Sequence, residues 1–473
     1  MKPLQENDLT AGKFRSATQL LLLFSVLILI VSAIVFQVRV SRFGITTSSM
    51  DSFLVFVLCS LFVGISMFFA AYFSISKPLS RWSTLGPAVF FSIVVICGLV
   101  DTWTSNSRFF SYGDIGELKD SVSSIGSDPN PRWVLGSFFL ALGRWTIDTF
   151  LFSIDVQRFI ETTGALLFLI TSIVVLVRSN RRASYIVPLF VPIWLAFGTG
   201  YDEYQPFLAP VALLVLLHIL TQDKSRTFLP EAIIVGLLPA IYVGFLPLSI
   251  LFFAHAIWSK ALRTFLSNVF LSVFVYLIAI EISWSMGVRS YFVSVVSSLQ
   301  LGDAGPGAIK GTSLSSRSMF FDLRSVFSVS HLTDLLYMLI LGGGVAAIFL
   351  GWITLTGLAK KLTSKSNVPR MTTRKFSAPQ VLTISWSVLY LVFLMAKLGP
   401  TGDIDAFYFT YFMFAIMLGI CLDQISIENK WTFQKKALIT GFVCGLNAPM
   451  LLALVALGVN RSCDMYSGFR SFC

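Results

Sequence analysis

Charge is what this sequence has least of. Only 12% of its 473 residues are charged, where a soluble globular chain carries about 25%. So few charges cannot cover a water-facing surface, and lipid is the solvent that tolerates the remainder. Histidine is scarce too: His218, His255 and His331 lie far apart, and none of the six cysteines joins them at a zinc-site spacing. There is no internal repeat with a period of roughly 20–50 residues, no heptad run and no low-complexity tract, which excludes solenoids and coiled coils. No cleavable signal peptide is evident. The first apolar run, 17–36, is long enough to span and has no small-residue cleavage site nearby, so it is expected to be a retained anchor.

What the sequence has in abundance is apolar length. Hydrophobic residues make up 55% of the chain, among them 45 Phe. A spanning helix needs about 20 mostly apolar residues. Runs of that kind fall at 17–36, 51–75, 85–100, 158–177, 184–199, 205–221, 264–284, 333–357, 379–397, 404–422 and 437–458. The stretch 232–258 is too long for one ordinary span and is interrupted by Pro239, Gly244 and Pro247, so it reads as two short helices meeting at the far face. The expectation is an all-α, polytopic integral membrane protein with about 13 spans.

The net charge of +11 invites a nucleic-acid reading, but its distribution argues against one. With the N-terminus in the cytoplasm and sides alternating, the cytoplasmic segments hold three fifths of the Lys and Arg and a quarter of the Asp and Glu. Arg178, Arg181 and Arg182 fall inside, as do Lys360, Lys361, Lys365, Arg370, Arg374 and Lys375. The other side is net acidic. This is the positive-inside bias, and shifting the topology by one span would reverse it. Cys59, Cys97, Cys421 and Cys444 lie in apolar spans, where cysteine behaves as a small hydrophobe. Cys463 and Cys473 lie in a tail expected outside; they form a disulfide if that compartment oxidises, and two free thiols fit equally well.

Two external segments are long, 101–157 and 285–332, and one cytoplasmic loop, 358–378, is basic and Ser/Thr-rich, suited to lie near anionic lipid. In the first, residues 114–124 are expected to form a short surface helix and Asp128-Pro129-Asn130-Pro131 a turn. Residues 132–152 then alternate apolar patches with Arg132, Arg144 and Asp148, too polar to span and suited to a helix lying in the interface. Long loops with helices of their own are usually functional. The second segment carries Gly302-Asp303-Ala304-Gly305-Pro306-Gly307, which follows no strand and is no nucleotide loop.

This order of features resembles the GT-C glycosyltransferases, membrane enzymes that use polyprenyl-phosphate-linked sugars and include the protein O-mannosyltransferases and aminoarabinose transferases. The resemblance covers 85–285 best. A span leads into an external loop with an acidic motif, Tyr112-Gly113-Asp114-Ile115-Gly116-Glu117, followed by the Pro-containing turn and the interfacial helix. An arginine opens the next span in Asp155-Val156-Gln157-Arg158-Phe159, and a short acidic turn, Tyr201-Asp202-Glu203-Tyr204-Gln205-Pro206, joins two later spans. Three features depart from the family. Ile115 follows Asp114 where many members have adjacent Asp-Glu, two spans precede the matching part, and no large soluble domain follows it. The implied organisation is anchor helices at 1–84, a transmembrane core at 85–285 with its catalytic loop at 101–157, and further helices at 286–473.

Glycosyl transfer from a lipid phosphate needs a carboxylate to take the acceptor's proton, cations or a metal to stabilise the leaving phosphate, and a groove for the polyprenyl tail. Asp114 is the candidate base, although Gly113-Asp114 with Glu117 three residues on also fits a helix cap, and the two roles are compatible. The resemblance implies that Arg158 orients Asp114 or contacts phosphate; a snorkelling interfacial arginine fits the same position. Glu117, Asp202 and Glu203 are candidates for substrate, and the Asp202–Glu203 pair for a divalent cation, although a solvated turn also explains that pair. Lys310, Arg317, Arg324 and Lys397 are external cations and so phosphate candidates. Glu281 is a charge near the outer end of a span, which is costly and often functional, whereas Asp403 and Asp405 suit ordinary interfacial placement. The expected partners are a polyprenyl-phosphate-linked sugar, a lipid, glycan or protein acceptor, and membrane lipids, with no nucleic acid and no certain cofactor. Two alternatives remain open. A polysaccharide polymerase or ligase would place its large loop late in the chain. A lipid-linked glycan transporter or flippase would show repeats and mid-membrane charges.

Overall fold

The computed structural model describes residues 133–150, 154–179, 182–198, 229–242, 262–284, 287–300 and 408–445, with shorter pieces within 88–99, 209–217, 245–254 and 343–351 and at 329 and 447. The described part is 91% helical and has no strand. Its helices are α1 (Val134–Phe150), α2 (Val156–Arg178), α3 (Ala183–Ile186), α4 (Pro192–Gly198), α5 (Leu229–Ile241), α6 (Leu262–Ser283), α7 (Gly287–Gln300), α8 (Tyr408–Glu428) and α9 (Phe433–Gly445). Two of them, within α2 and α8, are long and apolar enough to cross a membrane; α6 with α7, bent by 95° at their junction, makes a third if the pair is one span. The expected spans at 17–36, 51–75 and 379–397, the loop helix at 114–124, the linker 358–378 and the tail cysteines Cys463 and Cys473 lie outside the described residues.

Helix α2 shows how such a span is delimited. Its body is a run of Leu, Ile, Val and Phe, so its ends are set by polar caps. Asp155 sits in extended geometry and its carboxylate accepts the backbone N–H of Arg158 at 3.3 Å, which is N-capping. At the other end Arg178 lies in the last turn, where the helix dipole favours a cation, and Ser179 donates both its N–H and its hydroxyl to the Leu176 carbonyl. At about 1.5 Å per residue, its 23 residues run roughly 35 Å, more than a hydrocarbon core of about 30 Å.

Prolines decide the other shapes. The run 184–199 reads as one span but is built as α3, a 3-10 turn at Val187–Phe190, and α4. Pro188 and Pro192 each lack the N–H that would continue the ladder, so the chain tightens at the first and restarts at the second. Pro239 lies inside α5 and deprives the Val235 carbonyl of its helical donor. Ser249 supplies the missing bond, its hydroxyl donating to that carbonyl at 2.9 Å. This contact is the fold-back expected within 232–258, and it repairs a buried backbone group that would otherwise lack a partner.

Hydrophobic burial does little to associate helices in lipid, so close packing and hydrogen bonds must. Helices α5 and α6 run side by side with Gly236 against the Ser272 backbone, closer than any Cβ would allow; Ser272 also donates its hydroxyl to the Ala232 carbonyl at 2.8 Å. Gly419 of α8 meets the Ala183–Ser184 backbone in the same way. Around Trp194, whose indole N–H donates to Ser172 at 3.1 Å, the rings of Phe168, Phe197 and Phe412 pack at centroid distances of 5.1, 6.2 and 5.5 Å. Cys421 and Cys444 are free thiols buried in this core.

Two ends of the array result. At one, Asp423 of α8 accepts the N–H groups of Ala183 and Ser184 at 2.9 and 3.1 Å and pairs with Lys436 of α9 at 2.6 Å. The turn between α8 and α9 closes with Trp431 N–H on the Ser426 carbonyl and Lys430 N–H on that of Ile427, with Lys430 in the left-handed region at φ 48. At the other end, Val134 and Leu135 of α1, Ala240 of α5, Ala279, Ile280 and Trp284 of α6 and Tyr291 of α7 form a separate apolar cluster.

Candidate functional site at the Trp284 end

The Trp284 end joins the two long segments singled out in the sequence: α1 belongs to 101–157 and α7 to 285–332. Helix α6 stops at Ser283, and Gly287, at φ 78, redirects the chain into α7. The carboxylate of Glu281 accepts the Val288 N–H at 3.3 Å, so this residue caps α7. Tyr276 donates its hydroxyl to that of Tyr291 at 3.2 Å, and the Trp284 indole donates to Ser290 at 3.4 Å. Burial pushes the Tyr291 phenol well above its usual range, so it stays protonated.

Helix α1 buries polar side chains among apolar ones and exposes large apolar ones. Phe139, Leu142, Trp145 and Phe150 are exposed, while Ser137 is buried and Arg144 is only 13% exposed. Positions 137, 144 and 148 fall on one face, since three or four residues return a helix to the same side. The buried residues also include Val134, Leu135, Leu140 and Ala141, and the exposed ones also include Thr146, Asp148 and Thr149, so both faces of α1 are mixed, with Ser137 and Arg144 the polar groups turned inward. Arg144 Nε donates to Asp148 at 2.7 Å. Its Nη1 is buried with no hydrogen-bond partner, and so are the hydroxyls of Ser137 on α1 and Ser283 on α6.

Gly143 of α1 meets the Phe159 ring, 3.2 Å from where a Cβ would stand. That contact sets α1 against the first turns of α2, which carry Arg158 and Glu161. Arg158 is half-buried there, its backbone held by Asp155. Glu161, a buried carboxylate one turn further on, is 5% exposed and was not among the residues singled out by sequence, although a charge within an apolar span is itself a signal. Asp114, Glu117, Asp202, Glu203, Lys310, Arg317, Arg324 and Lys397 lie outside the described residues, as do Asp403 and Asp405. Among the described residues no three His, Cys, Asp or Glu side chains group as a metal site.

No family model, curated protein or solved structure matches this chain. Its chemistry therefore rests on the groups themselves. Two guanidinium groups, Arg144 and Arg158, and two carboxylates, Asp148 and Glu161, lie on α1 and the first turns of α2, either side of the contact between Gly143 and Phe159. Such a set can bind and orient an anionic headgroup; Arg in particular presents a planar fork suited to phosphate.

Proposed function

We propose that this chain is a membrane glycosyltransferase that moves a sugar from a polyprenyl-phosphate donor to a lipid, glycan or protein acceptor at the extracytoplasmic face. The inward polar groups of α1 carry this reading: the buried, unmatched Arg144 Nη1 and Ser137 hydroxyl suit a polar headgroup, and the exposed Phe139, Leu142, Trp145 and Phe150 suit lipid. Sidedness has its own support. The Asp423 contacts gather the ends of α3, α8 and α9 beside the basic turn after α2, all ends that the charge pattern assigns to the cytoplasm, leaving α1 and α7 for the opposite face.

In this mechanism Asp114 takes the proton of the acceptor hydroxyl. The acceptor oxygen bonds to the anomeric carbon as the bond from that carbon to the phosphate oxygen breaks. The electron pair leaves on polyprenyl phosphate, where Arg158 stabilises the charge. Asp114→Asn tests the base. Asn caps a helix as well as Asp does but cannot accept a proton at neutral pH, so transfer in reconstituted membranes is expected to fall about 10²–10⁴-fold with the protein still folded. Activity within a few-fold of wild type would remove Asp114 from this role and turn attention to Asp202 and Glu203.

A further inference from the structure

We infer that the inward face of α1 is a binding site for the phosphate of a lipid, with Arg144 as its principal ligand and Ser137 about two turns away on the same face. The inference deepens the glycosyltransferase reading by naming where the donor's phosphate is held, and it rests on that reading only for the identity of the lipid.

Three observations lead to it. First, Arg144 is almost fully enclosed yet satisfied on one side only: Nε meets Asp148, and Nη1 is buried without an acceptor. A guanidinium has five N–H donors in a fixed fork, and leaving one buried and unmatched is costly unless something else accepts from it. Second, two more donors without partners, the hydroxyls of Ser137 and Ser283, lie on elements that meet at the same end. Guanidinium and hydroxyl groups all donate to acceptor oxygens, which a phosphate has and a sugar ring alone supplies without charge. Third, the other face of α1 exposes Phe139, Leu142, Trp145 and Phe150, with Thr146 and Thr149 among them, so a largely apolar surface adjoins the site. An amphiphile with an anionic head and an apolar tail meets both surfaces at once. Asp148 tunes the site by holding Nε, which leaves the Nη1 edge for the ligand.

Two sources share this chemistry, a polyprenyl phosphate and an ordinary phospholipid, and the test separates them. The purified full chain, in a maltoside detergent without phosphate, is titrated calorimetrically with farnesyl phosphate, with farnesol and with dioctanoyl phosphatidylglycerol. Wild type is expected to bind farnesyl phosphate at least about tenfold more tightly than farnesol. Arg144→Gln is expected to erase that difference and Arg144→Lys, which keeps the charge but not the fork, to retain part of it. Equal affinity for dioctanoyl phosphatidylglycerol, lost in Arg144→Gln, supports the site and identifies a bulk phospholipid as its occupant. Wild type that does not distinguish farnesyl phosphate from farnesol overturns the inference whatever the variants do. So does an Arg144→Gln protein that elutes and melts like wild type and binds farnesyl phosphate unchanged. If Arg144→Gln fails to fold, wild type and Arg144→Lys decide. Transfer is assayed in parallel: Arg144-dependent binding without transfer keeps the site and discards the enzyme, and transfer indifferent to Arg144 does the reverse.

Discussion

The Asp423 end and the Trp284 end face the same problem, how to finish long apolar helices, and they answer it differently. At the Asp423 end one carboxylate takes two backbone N–H groups and an ammonium, joining α3, α8 and α9. At the Trp284 end the helices are held by ring packing and a few longer hydrogen bonds, while Ser137, Ser283 and Arg144 Nη1 stay buried without partners. Each such group costs about 1–3 kcal/mol. Natural structures keep unmatched polar groups mainly where function needs them. The first end therefore reads as an anchor and the second as a surface made to receive something.

The largest effect should come from breaking the anchor. Asp423→Ala strands the ammonium of Lys436, which is 21% exposed, and frees two N–H groups at the start of α3. Removing one partner of a mostly buried pair costs about 3–5 kcal/mol, so a large drop in melting temperature is expected in detergent. Asp423→Asn keeps an acceptor oxygen and should fall between. A melt of Asp423→Ala that overlays wild type would erase the contrast between the ends.

A pair of serine deletions sharpens the contrast. Ser249 is buried and its hydroxyl satisfies the carbonyl left open by Pro239, so Ser249→Ala should cost about 1–3 kcal/mol. Ser283 is equally buried but its hydroxyl has no partner, so Ser283→Ala should be neutral or stabilising by up to about 1 kcal/mol. Thermal unfolding of the two variants side by side decides the matter; equal destabilisation would mean that the Ser283 hydroxyl is satisfied after all.

These contrasts were only partly legible in sequence. The expected span 158–177 corresponds to Val156–Arg178, and the expected interfacial helix 132–152 to Val134–Phe150, because uninterrupted apolar length and polar flanks are local signals. The break near Pro239 is local as well. The run 184–199 misleads because its composition is apolar throughout while two prolines divide its backbone. The expected span 404–422 runs on to Glu428 because Asp423, which looks like a terminating charge, is neutralised by partners and stays inside the helix. Those partners at α3 lie 240 residues away, and no spacing rule reports a contact of that kind. For the site, the position of Arg158 is readable from the motif. The direction of Arg144 is not, because an interfacial helix read by sequence turns its charges to water, whereas here Arg144 is 13% exposed and only Asp148 reaches the surface.

The smallest effect concerns the hinge at the Trp284 end. Tyr291→Phe keeps the ring that packs on Trp284 at a centroid distance of 5.6 Å and removes only the hydroxyl that Tyr276 reaches at 3.2 Å. A net loss of about 0.5–1.5 kcal/mol is expected near neutral pH. The pH dependence distinguishes this loss from a general loosening. The folded-state pKa of Tyr291 is raised by burial, so below about pH 10 the phenol is protonated in both states and contributes no slope. As pH rises past about 10, the unfolded phenol ionises while the folded one cannot, and wild type loses stability with increasing pH. Tyr291→Phe has no proton to lose there, so its alkaline decline should be shallower and the two melting curves should converge. If the variant instead runs parallel to wild type from neutral to alkaline pH, Tyr291 is not the buried phenol described, and α7 is held at this end by Trp284 and the Glu281 cap alone.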